Sequence, residues 1–260
     1  MLAMRNRRVG ASKTRGPQEH TSKYSTGKRI IEGGFDLRRV WPLAADFYGR
    51  DPRQVAPDLL GKVLVRQLGR ERMAGRIVEV EAYLGSADAA AHAAAGLTPR
   101  NRVLFGPPGH AYVYFIYGNH YCLNVSCMPE GIAGCVLFRA LEPLHGLEAM
   151  ARHRGMLPSA LGGKARRLLT TGPGRLCEAL AITRPEDNDR DMTSPGSELW
   201  VGDDGFRARR IVTATRVGIT KSAEQPLGYY IAGNEFVSGP KVRSRESAVR
   251  SRQREEIADS

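Results

Sequence analysis

Long apolar runs are missing from this sequence. No stretch approaches the roughly 18 residues that a membrane-spanning helix requires. The basic N-terminus contains no apolar segment of the secretory kind. These absences point to a soluble, cytoplasmic chain, nucleoid-associated if its source is bacterial, and away from a membrane partner. No internal repeat is visible, which excludes repeat architectures. Cysteine is scarce: Cys122, Cys127, Cys135 and Cys177 sit in or beside apolar segments, at spacings that match no Cys-x-x-Cys pattern. Small buried thiols follow from this, and a structural metal does not. The six histidines are scattered, so neither a metal nor a cofactor is expected.

Acids are also in short supply. Asp and Glu number 27 against 39 Lys and Arg, for a net charge of +12. Such a balance favours a polyanionic partner, with nucleic acid ahead of an anionic membrane. Much of the charge is terminal, however. Residues 1–29 hold eight Lys/Arg against one acid, and residues 241–260 hold six against four, so +9 of the +12 lies in the tails. The part between is only mildly basic, and any nucleic-acid face on it must come from local clustering.

Composition divides the chain into a disordered basic tail at 1–33, one folded domain at 34–240 and a disordered charged tail at 241–260. The stretch Leu37–Phe47 leads into a first helix. Pro52–Leu60 reads as a second, with Asp51 as its cap. Lys62–Leu68 and Gly75–Tyr83 read as strands, and Ala87–Ala95 as helical. His110–Tyr117 and His120–Ser126 form an aromatic hairpin about the pair Gly118–Asn119. Gly134–Leu141 is a further strand, Leu144–Arg154 a helix, and Gly172–Ala181 a helix that Gly and Pro precede. Strands recur near Leu199–Val201, Ile211–Arg216 and Tyr229–Ile231. The expected fold class is α+β: a single mixed domain with an antiparallel sheet and helices around it.

Two features are costly enough to need a reason. In the strand GRIVEVEAY, period-two alternation puts Ile77, Glu79, Glu81 and Tyr83 on one face and Val78, Val80 and Ala82 on the other. A carboxylate in the middle of a strong strand is expensive unless it is solvated, salt-bridged or functional. Arg139 interrupts an apolar strand in the same way. It reads either as half of a structural pair, with Glu142 or Glu79, or as part of a site.

The run RIVEVEAYLG…AAHAAAGLTPRNRVLF…YVYFIYGNHYCLNVS…VLFRALEPL, residues 76–144, resembles the alkyladenine (3-methyladenine) DNA glycosylase family. GPGRLCEALAI at 172–182 and NEFVSGP at 234–240 resemble it too. The resemblance spans about residues 54–240. One segment departs from the pattern: after Pro226 the family commonly has an aromatic residue and an Arg, whereas this chain has Leu227 and Gly228, then Tyr229 and Tyr230.

The resemblance implies a mixed α/β domain whose hairpin protrudes and wedges into the DNA minor groove. It implies a monofunctional enzyme that flips alkylated purines out of duplex DNA and hydrolyses their N-glycosidic bond, initiating base excision repair. 3-Methyladenine and 7-methylguanine are the implied substrates, with hypoxanthine and ethenoadenine as further candidates. Glu81 would activate the water, and Arg139 would stand beside the water and the target phosphate. Tyr83 and Tyr114 would stack on either side of the base, with His92 at its edge and Asn124 at its floor. Tyr117 would fill the gap left in the helix. Glu79 is read as structural. Arg100, Arg102 and the helix start at Gly172–Gly174 are weaker candidates for backbone phosphates. No lysine matches a Schiff-base position, so no lyase activity is expected. The partner is double-stranded DNA with damaged purines, and a monomer is expected. Two alternatives remain at this point: a non-catalytic nucleic-acid binder of the same fold, and an unrelated RNA-associated protein recognised only by its charge.

Overall fold

A computed structural model describes residues 35–238 apart from positions 117 and 195. The expectations for the two tails, and for Tyr117, lie outside the described residues.

In chain order the regular elements are β1 (Trp41–Pro42), α1 (Ala45–Tyr48), α2 (Pro52–Leu59), β2 (Val63–Leu68), β3 (Glu71–Tyr83), β4 (Ala111–Ile116), β5 (His120–Ser126) and β6 (Cys135–His145). They continue with α3 (Leu147–His153), α4 (Gly163–Leu168), α5 (Pro173–Ala179), α6 (Arg184–Asp187), β7 (Leu199–Asp203), β8 (Ile211–Ala214) and β9 (Gly228–Ile231). The strands make one sheet in the order β1-β7-β2-β3-β6-β5-β4, with β8 and β9 branching from β3. The pairs are antiparallel throughout. This is the α+β arrangement that the pattern of elements predicts.

The long strand β3 is the axis of the sheet. Its first half pairs with β2, its second half with β9, and β6 runs along it throughout. Val78, Val80 and Ala82 enter the main core, with Val55 and Leu59 of α2, Phe138 of β6 and Leu176 of α5. A fully buried Leu or Phe of this kind contributes about 1.5–3 kcal/mol. The β3–β6 register slips at Ile77/Glu79 and again at Glu79/Val80, which leaves Val78 and Arg139 without Cα partners. A bulge bends a strand locally and re-aims the side chains beside it. One result is that Ile77 joins Val78 in the core instead of lining up with the carboxylates.

Leu37–Phe47 leads into a helix as expected, through a 3-10 turn at Leu37–Arg39 and β1 to the start of α1. Two local expectations change. Ala87–Ala95 is not α-helical, and 3-10 turns form at Gly85–Ala87 and His92–Ala95. There the Asp88 carboxylate accepts from the amides of Leu84 (3.3 Å) and Ala90 (3.0 Å), which diverts backbone donors from a helical ladder. The aromatic hairpin forms, but Ile116 pairs with His120, so its loop is three residues long, 117–119, with Gly118 at positive φ. Asp51 caps α2 as expected, accepting from the Arg53 amide at 2.8 Å.

Candidate active site

Glu81 has no exposed surface as a residue, yet its side chain forms part of the wall of a cleft of about 450 Å³. Its position follows from its strand: as a neighbour of Val80 and Ala82, which the core claims, it must project from the other face. The carboxylate is fully engaged. Oε1 accepts from the Val217 amide at 2.7 Å and lies 3.1 Å from Nη1 of Arg139. Oε2 accepts from the Tyr83 hydroxyl at 2.9 Å. Burial pushes the Glu81 carboxyl above its ordinary value of 4.5, and the Arg139 charge and the Val217 and Tyr83 hydrogen bonds pull it only partly back. A buried carboxylate of raised proton affinity, held by charged and polar donors, is the state a general base needs.

Arg139, the residue skipped in the β3–β6 register, supplies the charge that faces Glu81. Its guanidinium is shared. Nε donates to Glu79 at 3.0 Å, Nη1 faces Glu81, and Nη2 lies 3.4 Å from the Ser238 hydroxyl. The carbonyl of Arg139 accepts from the Gly172 amide at 3.0 Å, which ties the bulge to the start of α5. The structural pair and the site, alternatives in the sequence, are here the same interaction.

Tyr83 and Tyr114 both line the cleft, with Ile116, Cys122 and Leu137 between the strands and Gly172–Arg175 opposite. Behind Tyr83, outside the cleft, the Arg216 guanidinium lies 4.6 Å from the ring centroid and is paired with Asp88. Arg216 also donates to the Ala82 carbonyl at 3.1 Å. The loop that carries Val217 is thereby fastened to β3. Gly172 at the other wall has φ +109°, a conformation open to glycine. At Gly174 a Cβ would come within 2.9 Å of the His120 ring.

Among the described residues, the predicted His92, Asn124, Arg100 and Arg102 do not line the cleft. His92 packs edge-on against Tyr114, with centroids 4.5 Å apart, and its Nδ1 is 2.9 Å from the Tyr112 hydroxyl. Burial of the ring, then the Arg100 charge, lowers its pKa below 6.5, so it is neutral at pH 7. Asn124 is buried. Its Nδ2 donates to the Tyr112 carbonyl at 3.1 Å, and it stands in register with Leu137, which does line the cleft. Arg100 and Arg102 are exposed; Arg100 is near the His92 ring, and Arg102 is paired with Asp189 at 3.0 Å.

Several residues that shape the site escaped the sequence reading. Val217 acts through its backbone amide, which no side-chain pattern reveals. Arg216 and Asp88 make a buried pair across 128 positions, and the one available signal was an Arg closing the strand-like run Ile211–Arg216. All four cysteines are free and buried. Among the described residues, no three His, Cys, Asp or Glu side chains gather as metal ligands. No helix among them is long and apolar enough to cross a membrane.

Comparison with known proteins bears on this geometry. Residues 46–235 match the sequence profile of a family described as methylpurine-DNA glycosylase. A protein of Koribacter versatilis is 60% identical over 205 residues, 79% of this chain and 97% of that protein. Proteins of Clostridium acetobutylicum and Alkaliphilus oremlandii are 47% and 43% identical over 201 residues, 75% of this chain and 97% and 98% of theirs. All three carry the name "Putative 3-methyladenine DNA glycosylase".

Proposed function

The chain belongs to the methylpurine-DNA glycosylase family, and from that premise we propose that it hydrolyses the N-glycosidic bond of alkylated purines in duplex DNA, with Glu81 as general base. The activity class is that of a DNA glycosylase acting in DNA repair. One observation carries the choice of residue: a buried carboxylate, held by two hydrogen bonds and an ion pair, lies in the wall of an aromatic cleft.

The chemistry follows from that geometry. A base alkylated on a ring nitrogen carries positive charge and leaves readily. The enzyme must take the nucleotide out of the stack, place a water on the far side of the sugar and stabilise an oxocarbenium-like state. The extruded purine stacks between Tyr83 and Tyr114, each face contributing roughly 1–3 kcal/mol. Water attacks the anomeric carbon, the C–N bond breaks with its electron pair leaving on the base, and Glu81 takes the water's proton. Arg139 holds Glu81 ionised and in register. His92, through its contact with Tyr114, and Asn124, behind Leu137, support the slot. The β4–β5 hairpin, with Tyr117 at its tip in the sequence, wedges the duplex and fills the vacated position. The lining of the cleft contains no lysine among the described residues, so the reading is hydrolysis that leaves the abasic strand uncut.

The test is Glu81→Gln with a duplex carrying 3-methyladenine. The variant is expected to bind the lesion duplex and to release no base. Release at the parent rate would remove Glu81 from this role.

A further inference from the structure

Why a second carboxylate stands beside the first is unexplained by the reading above. Glu79 is buried, two residues from Glu81 on the same strand, and one arginine serves both. Two carboxylates and one guanidinium leave a net negative charge in the protein interior. That is costly to keep, and removing one acid for an apolar residue would be cheap if the pair existed for stability alone. Both acids border a second chamber of about 100 Å³, together with Arg139 and Tyr230. Glu81 also lines the cleft, and Glu79 does not. Glu79 is therefore placed to act on the site without touching a purine.

Its contacts show how. Oε1 of Glu79 accepts from Nε of Arg139 at 3.0 Å, and Oε2 accepts from the Ser238 amide. The Ser238 hydroxyl lies 3.4 Å from Nη2 of the same arginine. Glu79 and Ser238 thus grip the guanidinium along one edge, and its closest approach to Glu81 is an ion-pair contact through Nη1 at 3.1 Å. A free arginine would close on Glu81 with both NH groups of one edge, in the bidentate form carboxylates favour. Resting on the assignment of Glu81 above, we propose that Glu79 is a positioning residue, which holds Arg139 in a one-armed contact and so keeps Glu81 a stronger base than a closed ion pair would allow.

The groups around Glu81 fix the direction of the effect. From β3 it meets Glu79 and the Tyr83 hydroxyl, and from β6 Arg139. From β4 and β5 come the neutral Tyr114 and Cys122. From the loop after β8 come the Val217 amide and the Arg216–Asp88 pair. His120 and Arg175 lie further along the cleft. Among the nearest neighbours, Glu79 is the negative charge that opposes ionisation of Glu81. Removing that charge and letting Arg139 close both act in one direction: Glu81 loses its proton at lower pH and becomes a weaker base.

The experiment is Glu79→Gln in the full chain, with single-turnover release of 3-methyladenine followed against pH. The acid limb is expected to move down by about one pH unit, with a fall in plateau rate of roughly 3- to 10-fold for the weaker base. Glu79→Asp, which keeps the charge, should return the limb toward the parent position. An unmoved limb in a folded Glu79→Gln protein overturns the proposal. The second measurement needs no activity. In carbon-13-labelled chains, the Glu81 carboxyl should titrate above 4.5 in the parent and at lower pH in Glu79→Gln. A Glu81 titration that is the same in both chains overturns the proposal even if the chain proves inactive, so failure here is distinct from failure of the proposed activity.

Discussion

The hydroxyl of Tyr83 donates to Oε2 of Glu81 at 2.9 Å, so the wall of the slot and the carboxylate beneath it are joined two residues apart on one strand. Stacking and water activation are therefore separable by substitution at a single position. Tyr83→Phe keeps the ring and removes a donor that favours the ionised carboxyl. The acid limb of base release should shift to higher pH, opposite to Glu79→Gln, while affinity for a lesion duplex stays near the parent. Tyr83→Ala should in addition weaken that affinity by roughly 1–3 kcal/mol. Identical pH profiles for Tyr83→Phe and the parent would show that the hydroxyl does not tune Glu81.

The site is kept at a cost in stability that depends on pH. The Glu81 carboxyl is held above 4.5 in the folded protein, chiefly by burial, and returns to its ordinary value on unfolding. Between those values the folded state binds the extra proton. The corresponding stability is complete below about pH 4.5 and is lost as pH rises through the folded value. Glu81→Gln can keep Arg139 and Val217 on its oxygen and turn its NH₂ toward the Tyr83 oxygen. It should therefore melt above the parent at neutral pH, with the difference closing in acid below about pH 4. Thermal unfolding across pH measures this, and a lower melting temperature at pH 7 contradicts it.

Burial separates two arginine–aspartate pairs that look alike in the sequence. The Arg216 and Asp88 side chains are fully buried, whereas Arg102 is exposed and Asp189 half-buried. Arg216→Met strands a buried carboxylate and should cost about 3–5 kcal/mol in urea unfolding. Arg102→Met should cost under about 1 kcal/mol. Arg216→Met should also slow base release, because the loop that presents the Val217 amide loses its anchor.

The charge of the N-terminal segment predicts a different readout. Residues 1–29 carry eight Lys/Arg against one acid. Deleting residues 1–30 should weaken binding to undamaged duplex and flatten its dependence on salt, while single-turnover release is spared. A salt slope equal to that of the parent would take the tail out of DNA binding.

Much of the sheet was readable because period-two alternation and aromatic runs are local. Val78, Val80 and Ala82 had to share the core, and Glu81 had to oppose them. The failures have equally local causes. Asp88 captured amides that a helix needed, and a paired slip in register moved Ile77 into the core. His92 and Asn124, which the resemblance implies at the base, contact Tyr112 and stand beside the cleft residues Tyr114 and Leu137.

By itself the sequence placed Glu79, Glu81 and Arg139 in otherwise apolar strands, and its resemblance to a known family, not the alternation, singled out Glu81 and Arg139 among them. The tertiary structure alone decided how they act together. The bulge that frees Arg139, the Val217 amide on Glu81 and the grip of Glu79 and Ser238 all arise from chain segments 60 to 159 positions apart. Such contacts depend on register and loop closure across the whole sheet, and no local pattern encodes them.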